Sequence, residues 1–118
     1  MDEIFKENEL LLRAVKPTGI FIKEDGSISS AVFKDSKGLS VNRTGDDDAD
    51  VVIRFTKNHF NDCEIWSVKV SDCNEIKVLV KYAPIDENIY HSEIHRNSET
   101  AQLTQSQARF LANRAIKV

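Results

Sequence analysis

The side chains best suited to chemistry lie in residues 88–95, whose sequence is NIYHSEIH. If this segment is extended, its side chains alternate between two faces, so that His91, Glu93 and His95 project from the same one. Two imidazoles and a carboxylate are a ligand set that suits zinc or ferrous iron. If the segment is helical, the two histidines still share a face, whereas Glu93 turns away. Because the longer motif of zinc peptidases is missing, no metal is favoured, and these three residues stand only as candidate ligands.

The same segment offers a second kind of site. His91 and Glu93 could form a hydrogen-bonded pair in a polar pocket, suited to general acid–base catalysis or to ligand binding. The pocket hypothesis adds three polar residues from earlier in the chain. Its complete set is Ser30, Asp35, Arg43, His91 and Glu93. The competing interpretation is that His91 and Glu93 form a structural pair or are solvated side chains on an exposed strand face.

Other motifs with a known mechanism are incomplete. Asp46, Asp48 and Asp50 alternate as the first three ligands of a calcium-binding loop do. The sixth loop position is Val51, where glycine is needed, and the twelfth is Lys57, where a glutamate belongs. The segment is therefore interpreted as a solvated acidic loop. The four glycines do not form a phosphate-binding loop, the serines lack a nucleophile-elbow context, and no cofactor is expected.

The two cysteines, Cys63 and Cys73, lie ten residues apart. If the intervening segment is one strand, about 33 Å separates them, whereas a disulfide requires Cα atoms within about 7 Å. Both are therefore predicted to be free thiols, as in a reducing compartment. His59 lies four residues before Cys63, which leaves open a site that combines these two residues with the histidine segment.

The composition is that of one globular domain, residues 1–118. The chain has 16 Lys and Arg against 19 Asp and Glu, a formal charge of −3, with 41% hydrophobic residues. Its longest apolar runs are far shorter than the ~20 residues of a membrane span, and its slight acidity argues against a dedicated nucleic-acid binder. The mixed, acidic start MDEIFKENE lacks the pattern of a secretory signal, which predicts a cytoplasmic protein.

Hydrophobic periodicity and turn residues predict the elements that position these side chains. An N-terminal helix is predicted over residues 2–15, ended by Pro17 because proline disfavours helical geometry in the residue before it. The Asp25-Gly26 pair predicts a hairpin between the apolar runs 20–22 and 28–33, since glycine accepts a positive φ without steric cost.

Three alternating segments predict strands over residues 51–55, 65–70 and 76–82. Alternation of apolar and polar side chains is typical of an antiparallel sheet with one solvated face. Residues 72–75 are short enough for a hairpin loop, so the three strands are expected to be neighbours.

The C-terminal segment predicts a second helix. Thr104 is its expected N-cap, and Gln107 completes a capping box three residues later. One apolar face is formed by Ala108, Leu111, Ala112 and Ala115. The basic residues Arg109, Arg114 and Lys117 are interpreted as its solvated face rather than as a phosphate-binding stripe. The predicted fold class is therefore α+β, an antiparallel sheet covered on one face by this helix and accompanied by the N-terminal helix.

Two segments and the final helix resemble a known family. Residues 29–35 (SSAVFKD) continue through 38–43 (GLSVNR) and are followed much later by 90–95 (YHSEIH) and an alanine-rich final helix. In these features the chain resembles a family of small bacterial proteins that share Ser-Ser-Ala-x-Phe and His-Ser-Glu-Ile segments and have no assigned activity. The resemblance covers most of the chain. It implies that the two segments belong to one small domain and meet in space, and it implies no reaction.

Two functional hypotheses follow. The first is a non-catalytic, cytoplasmic bacterial domain that binds a protein partner, because the chain has no complete catalytic constellation and spends most of its apolar residues on a small core. The alternative is a small enzyme or ligand-binding protein with a polar pocket around His91 and Glu93, with metal dependence as its less favoured form. Neither a nucleic acid nor a membrane is expected as a partner. Convergence of the five pocket residues on a cavity would favour the alternative.

Overall fold

The computed structural model of this protein describes residues 3–118. The strands are β1 (Leu10–Val15), β2 (Leu39–Arg43), β3 (Glu64–Lys69), β4 (Leu79–Tyr82), β5 (His91–His95) and β6 (Ile116–Lys117). The helices are α1 (Ala49–His59), α2 (Val70–Glu75) and α3 (Gln105–Arg114), with a short 3-10 helix at Ser30–Phe33. The strands form one antiparallel sheet in the order β4-β5-β2-β1-β3-β6, which confirms the α+β class. Within residues 3–118, no helix has the length and apolar character needed to cross a membrane.

The N-terminal segment forms a central strand rather than the helix predicted over residues 2–15. Residue 2 lies outside the described residues, and β1 pairs with β2 on one side and with β3 on the other. Leu11 packs in the larger hydrophobic core on one face of the sheet, whereas Leu12 packs in a smaller core on the opposite face. A strand covered on both faces requires a nearly continuous apolar run, and residues 10–15 supply one.

Residues 51–55 belong to α1, so the strand predicted there is wrong. The Asp48 side chain caps the helix by accepting a hydrogen bond from the backbone N–H of Asp50 at 2.9 Å. Val52 and Thr56, four residues apart, are the buried residues of the helix, which packs on β1, β2 and β3. The apolar residues of this segment fit both the two-residue period of a strand and the 3.6-residue period of a helix. The burial of the i, i+4 pair Val52 and Thr56 stabilises the helix.

The strand predicted over residues 65–70 is confirmed as β3, shifted by one residue. The strand predicted over residues 76–82 is confirmed only for residues 79–82, which form β4. The hairpin loop predicted at residues 72–75 is wrong, since these residues belong to α2. The Asp72 side chain accepts from the backbone N–H of Lys69 at 3.2 Å at the start of α2. The chain then leaves the sheet and returns at its far edge. Contrary to expectation, β3 and β4 are therefore not neighbours.

The C-terminal helix is confirmed with its predicted cap. The Thr104 hydroxyl accepts from the N–H of Gln107 at 3.1 Å, and the Gln107 side-chain oxygen accepts in return from the N–H of Thr104 at 2.9 Å. Ala108 and Leu111 are fully buried in the larger core together with Leu11. The helix α3 thus covers the face of the sheet opposite α1, and it also packs on the 3-10 helix.

The predicted hairpin around Asp25-Gly26 shortens to a single bridge between Ile22 and Ile28. Gly26 adopts a φ of 87°, as the turn requires. The Asp25 carboxylate accepts from the N–H and the hydroxyl of Ser27 at 3.0 and 2.6 Å, and these bonds lower the pKa of Asp25. Residues 30–33 then form the 3-10 helix instead of a strand, and Val32 and Phe33 join Ile94 of β5 in the larger core.

Candidate functional site

The histidine segment is extended, since it forms β5 between β2 and β4. His91, Glu93 and His95 therefore share one face of the sheet. Glu93 pairs with His95, with Oε1 2.8 Å from Nε2, and not with His91 as predicted. The ring nitrogens of His91 contact Ala83 and Ser40 instead. In the part of the chain that the structure describes, no three His, Cys, Asp or Glu side chains are grouped so that they could hold a metal ion.

Three members of the predicted pocket lie at separate places. Arg43 is 2% exposed and forms a two-point ion pair with Glu9, with Nε–Oε1 at 2.7 Å and Nη2–Oε2 at 3.1 Å. Ser30 lines a small surface groove beside α3. Asp35 is exposed and caps the turn before β2. The five residues are thus dispersed, which argues against an enzyme that uses these side chains together.

A cavity of about 420 Å³ opens where β1 and β2 separate. The two strands share two residue pairs in the described chain, and beyond them the end of β1 and the start of β2 diverge. The side chain of Arg13 enters this gap. Its Nε donates to the carbonyl oxygen of Val32 at 3.1 Å, and its Nη1 donates to that of Ser40 at 2.9 Å. The guanidinium thereby provides a hydrogen-bond donor for the carbonyl of Ser40, in the part of β2 that does not pair with β1.

The walls of the cavity are mainly apolar, and the charged side chains among them are cations. The apolar lining includes Leu12, Val15, Phe21, Val32, Phe60 and Ile85. The cationic and imidazole side chains of the lining are Arg13, Lys16, His59 and His91. No Asp or Glu of residues 3–118 belongs to the lining. Small-molecule sites are typically of about 300–1,000 Å³ and have this mixture of apolar walls and a few polar groups.

His91 is held at the cavity by a hydrogen bond between its ring and the backbone. Its Nδ1 lies 2.7 Å from the carbonyl oxygen of Ala83. Because a carbonyl oxygen only accepts, Nδ1 carries a proton and donates this hydrogen bond. Nε2 faces the hydroxyl of Ser40 at 3.4 Å, a long contact that leaves both groups available to a ligand. Among the five residues of the predicted pocket, His91 is the one that lines this cavity.

Buried amides fix another part of the wall. Asn42 Nδ2 donates to Thr56 Oγ1 at 3.0 Å, and Asn88 Nδ2 donates to Asn42 Oδ1 at 2.8 Å. The Asn88 oxygen accepts in turn from the backbone N–H of Tyr90 at 2.9 Å. All three polar residues of this network are buried. The network therefore ties α1, β2 and the loop before β5 together beside the cavity.

The two cysteines are free thiols, as predicted, in different environments. Cys63 is partly exposed and lines the cavity, and its partial burial and the neighbouring Asp62 raise its thiol pKa. Cys73 lies in the larger core, where burial, with a smaller effect of Asp72, raises its pKa to about 12. Both thiols are therefore protonated at neutral pH, and Cys63 is the one that can report on the cavity.

Most of the cavity residues cannot be predicted from the sequence. Arg13 does carry a signal, because it interrupts the apolar run of β1, and a charged side chain inside a buried strand needs a partner or a function. Ser40, Asn42 and Asn88 carry no local pattern, since strands and loops distant in sequence bring them together. Comparisons of this chain with protein-family models, with curated proteins and with solved structures find no match.

Proposed function

We propose that this protein binds a small, mainly apolar molecule in the cavity between β1 and β2. The observation that supports the proposal is the cavity itself, whose volume of about 420 Å³ is typical of small-molecule sites. Its apolar walls favour the transfer of an apolar ligand out of water by about 25 cal/mol per Å² of buried surface. The hydroxyl of Ser40 and the Nε2 atom of His91 provide polar groups that would orient the ligand.

The walls are held by contacts that do not depend on a ligand. The Arg13 side chain fixes β2 relative to the 3-10 helix through two backbone carbonyls, and the Asn42–Asn88 amide pair fixes the loop before β5. A site formed in advance loses less conformational entropy on binding. The proposal therefore requires no large rearrangement of the sheet.

A neutral apolar fluorophore tests this function directly. Titration with N-phenyl-1-naphthylamine is expected to give saturable fluorescence enhancement with the wild-type protein. Ser40→Trp places a large side chain at the cavity and is expected to abolish the saturable signal, while thermal unfolding stays cooperative because Ser40 is exposed. The matched control is Leu79→Trp, on an exposed position of β4 outside the lining, which is expected to bind as the wild type does. Equal binding by both variants would refute the cavity as the site.

Protein binding, the function favoured by the sequence, is a second candidate because apolar side chains are exposed around the edge strand β4. Leu79, Ile85 and Ile89 are 37%, 49% and 56% exposed. In the described sheet β4 has a strand neighbour on one side only, and open strand edges pair readily with extended segments. Affinity capture with wild type and with Ile89→Glu separates the candidates. A partner lost from the variant, with fluorophore binding unchanged, would support protein binding at this edge.

A further inference from the structure

We infer that the ligand of this cavity is a carboxylic acid with an apolar body, and that Arg13 binds its carboxylate. The inference rests on the proposed function and specifies the chemical class of its ligand. It depends on the charges of the lining, on the hydrogen bonds of Arg13 and on the orientation of α1.

The charges of the lining differ from those of the whole chain. The chain carries a formal charge of −3, yet the lining contains the cations Arg13 and Lys16 and none of the carboxylates in residues 3–118. The cavity is therefore a local positive region enclosed by apolar walls. Such a site favours an anion over a neutral molecule of the same shape.

Arg13 is a cation whose donors are only partly used. A guanidinium has five N–H donors, and two bonds to backbone carbonyls fix its plane in the gap between the strands. No carboxylate lies within ion-pair distance of Arg13 among the described residues. Burial lowers its pKa, an effect partly offset by the charge of Asp35, and the group stays charged at neutral pH. A ligand carboxylate would supply the missing counter-ion and accept from the remaining donors.

The position of α1 indicates how the ligand would be oriented in the cavity. His59 and Phe60 line the cavity from the C-terminal end of α1, which carries the negative end of the helix dipole. An anionic group is thus favoured beside Arg13 and Ser40, and the apolar body beside Phe60. Phosphate groups are typically held at helix N-termini, and the helix that reaches this cavity presents the opposite end. A singly charged carboxylate therefore fits better than a phosphate ester.

Matched ligands with the same alkyl chain test the inference. Octanoate, 1-octanol and octyl phosphate are titrated into the protein of residues 1–118, and binding is followed by amide chemical shifts and by protection of Cys63 from iodoacetamide. Octanoate is expected to bind about 10- to 100-fold more tightly than 1-octanol, the range of a hydrogen-bonded charge pair. Arg13→Met is expected to remove this preference, so that the variant binds octanoate no more tightly than it binds 1-octanol. The control Arg109→Met, an exposed cation on α3 outside the cavity, is expected to retain it.

The possible results separate the inference from the proposed function. Equal affinity for octanoate and 1-octanol, or tighter binding of octyl phosphate, would overturn the carboxylate assignment while the cavity stays a binding site. A preference that survives in Arg13→Met would overturn the role of Arg13. If that variant fails to fold, Arg13→Lys replaces it, since it keeps the charge and loses the planar fork, and a weakened octanoate preference supports the role. Absence of fluorophore binding in the wild type would refute the proposed function itself.

Discussion

The Arg43 guanidinium donates two hydrogen bonds to the Glu9 carboxylate at a position closed to water, although 34 residues separate them in the chain. Glu9 also accepts from the backbone N–H of Gly45 at 2.6 Å, and the ring of Phe5 lies 3.9 Å from the guanidinium carbon. Both charges are almost fully desolvated, so the buried Glu9 carboxylate depends on the Arg43 guanidinium for compensation. The pair therefore fastens the segment before β1 to the end of β2.

Removal of one charge of this pair should be costly. Arg43→Met is expected to lower the free energy of unfolding by about 3–5 kcal/mol, because it leaves the Glu9 carboxylate buried without a cation. The double variant with Glu9→Leu should lose less than the two single variants together, as measured by urea denaturation. Lys6→Met is the control, since its ion pair with Asp46 is exposed and contributes at most ~1 kcal/mol. A loss below ~1 kcal/mol for Arg43→Met would contradict the structural role.

The buried thiol of Cys73 is expected to lower the free energy of unfolding as the pH rises into the mildly alkaline range. Its pKa is raised to about 12 by burial, whereas the thiol of the unfolded chain ionises near 9.0. Above pH 9 the unfolded state therefore binds fewer protons than the folded state, and stability falls as the pH rises. Between pH 8 and pH 10 this residue is expected to lower the free energy of unfolding by about 1.4 kcal/mol. Cys73→Ala has no thiol to ionise, so an unchanged pH dependence in that variant would disprove the assignment.

At the scale of the elements, the cap of α3 permits a clean test. Thr104→Ala removes the hydroxyl that accepts from the N–H of Gln107 and is expected to lower the free energy of unfolding by about 0.5–2 kcal/mol. Ser106→Ala, at an exposed position in the same first turn, is the matched control and is expected to change stability by less than ~0.5 kcal/mol. Equal effects of the two substitutions in urea denaturation would show that the cap does not stabilise the helix.

The elements that sequence reasoning identified are those defined by local signals. The helix α3 has its cap and its apolar face within one short segment, and apolar and polar residues alternate clearly in β3. In contrast, residues 51–55 fit a strand and a helix equally well, and the buried pair Val52 and Thr56 is apparent only once the sheet surface is known. The apolar run at residues 10–15 fits a helix when only the local sequence is considered, whereas the burial of both faces that explains it is a property of the whole sheet.

At the scale of the whole molecule, the candidate site was the least predictable part. The extended histidine segment and its shared face follow from period two, and His91 does line the cavity. The cavity itself arises because β1 and β2 diverge, and no local pattern encodes a divergence between strands distant in sequence. The prediction that Arg43 belongs to a polar pocket misses its buried partner, Glu9, which lies 34 residues away in the chain. Partners at such distances become visible only through the fold.

The strand order also determines when the chain can fold during its synthesis. The central strand β2 pairs with β5, and the central strand β1 pairs with β3. Residues 39–43 therefore lack one strand neighbour until residues 91–95 have been made. In the described sheet β4 and β5 are the neighbours closest in sequence, and they are made late. Sheets dominated by such distant pairs fold slowly, since loop closure precedes the contacts that compensate for it. A nascent chain that ends before β5 therefore has an open edge on β2, and we expect the complete sheet to form only after residues 91–95 have been made.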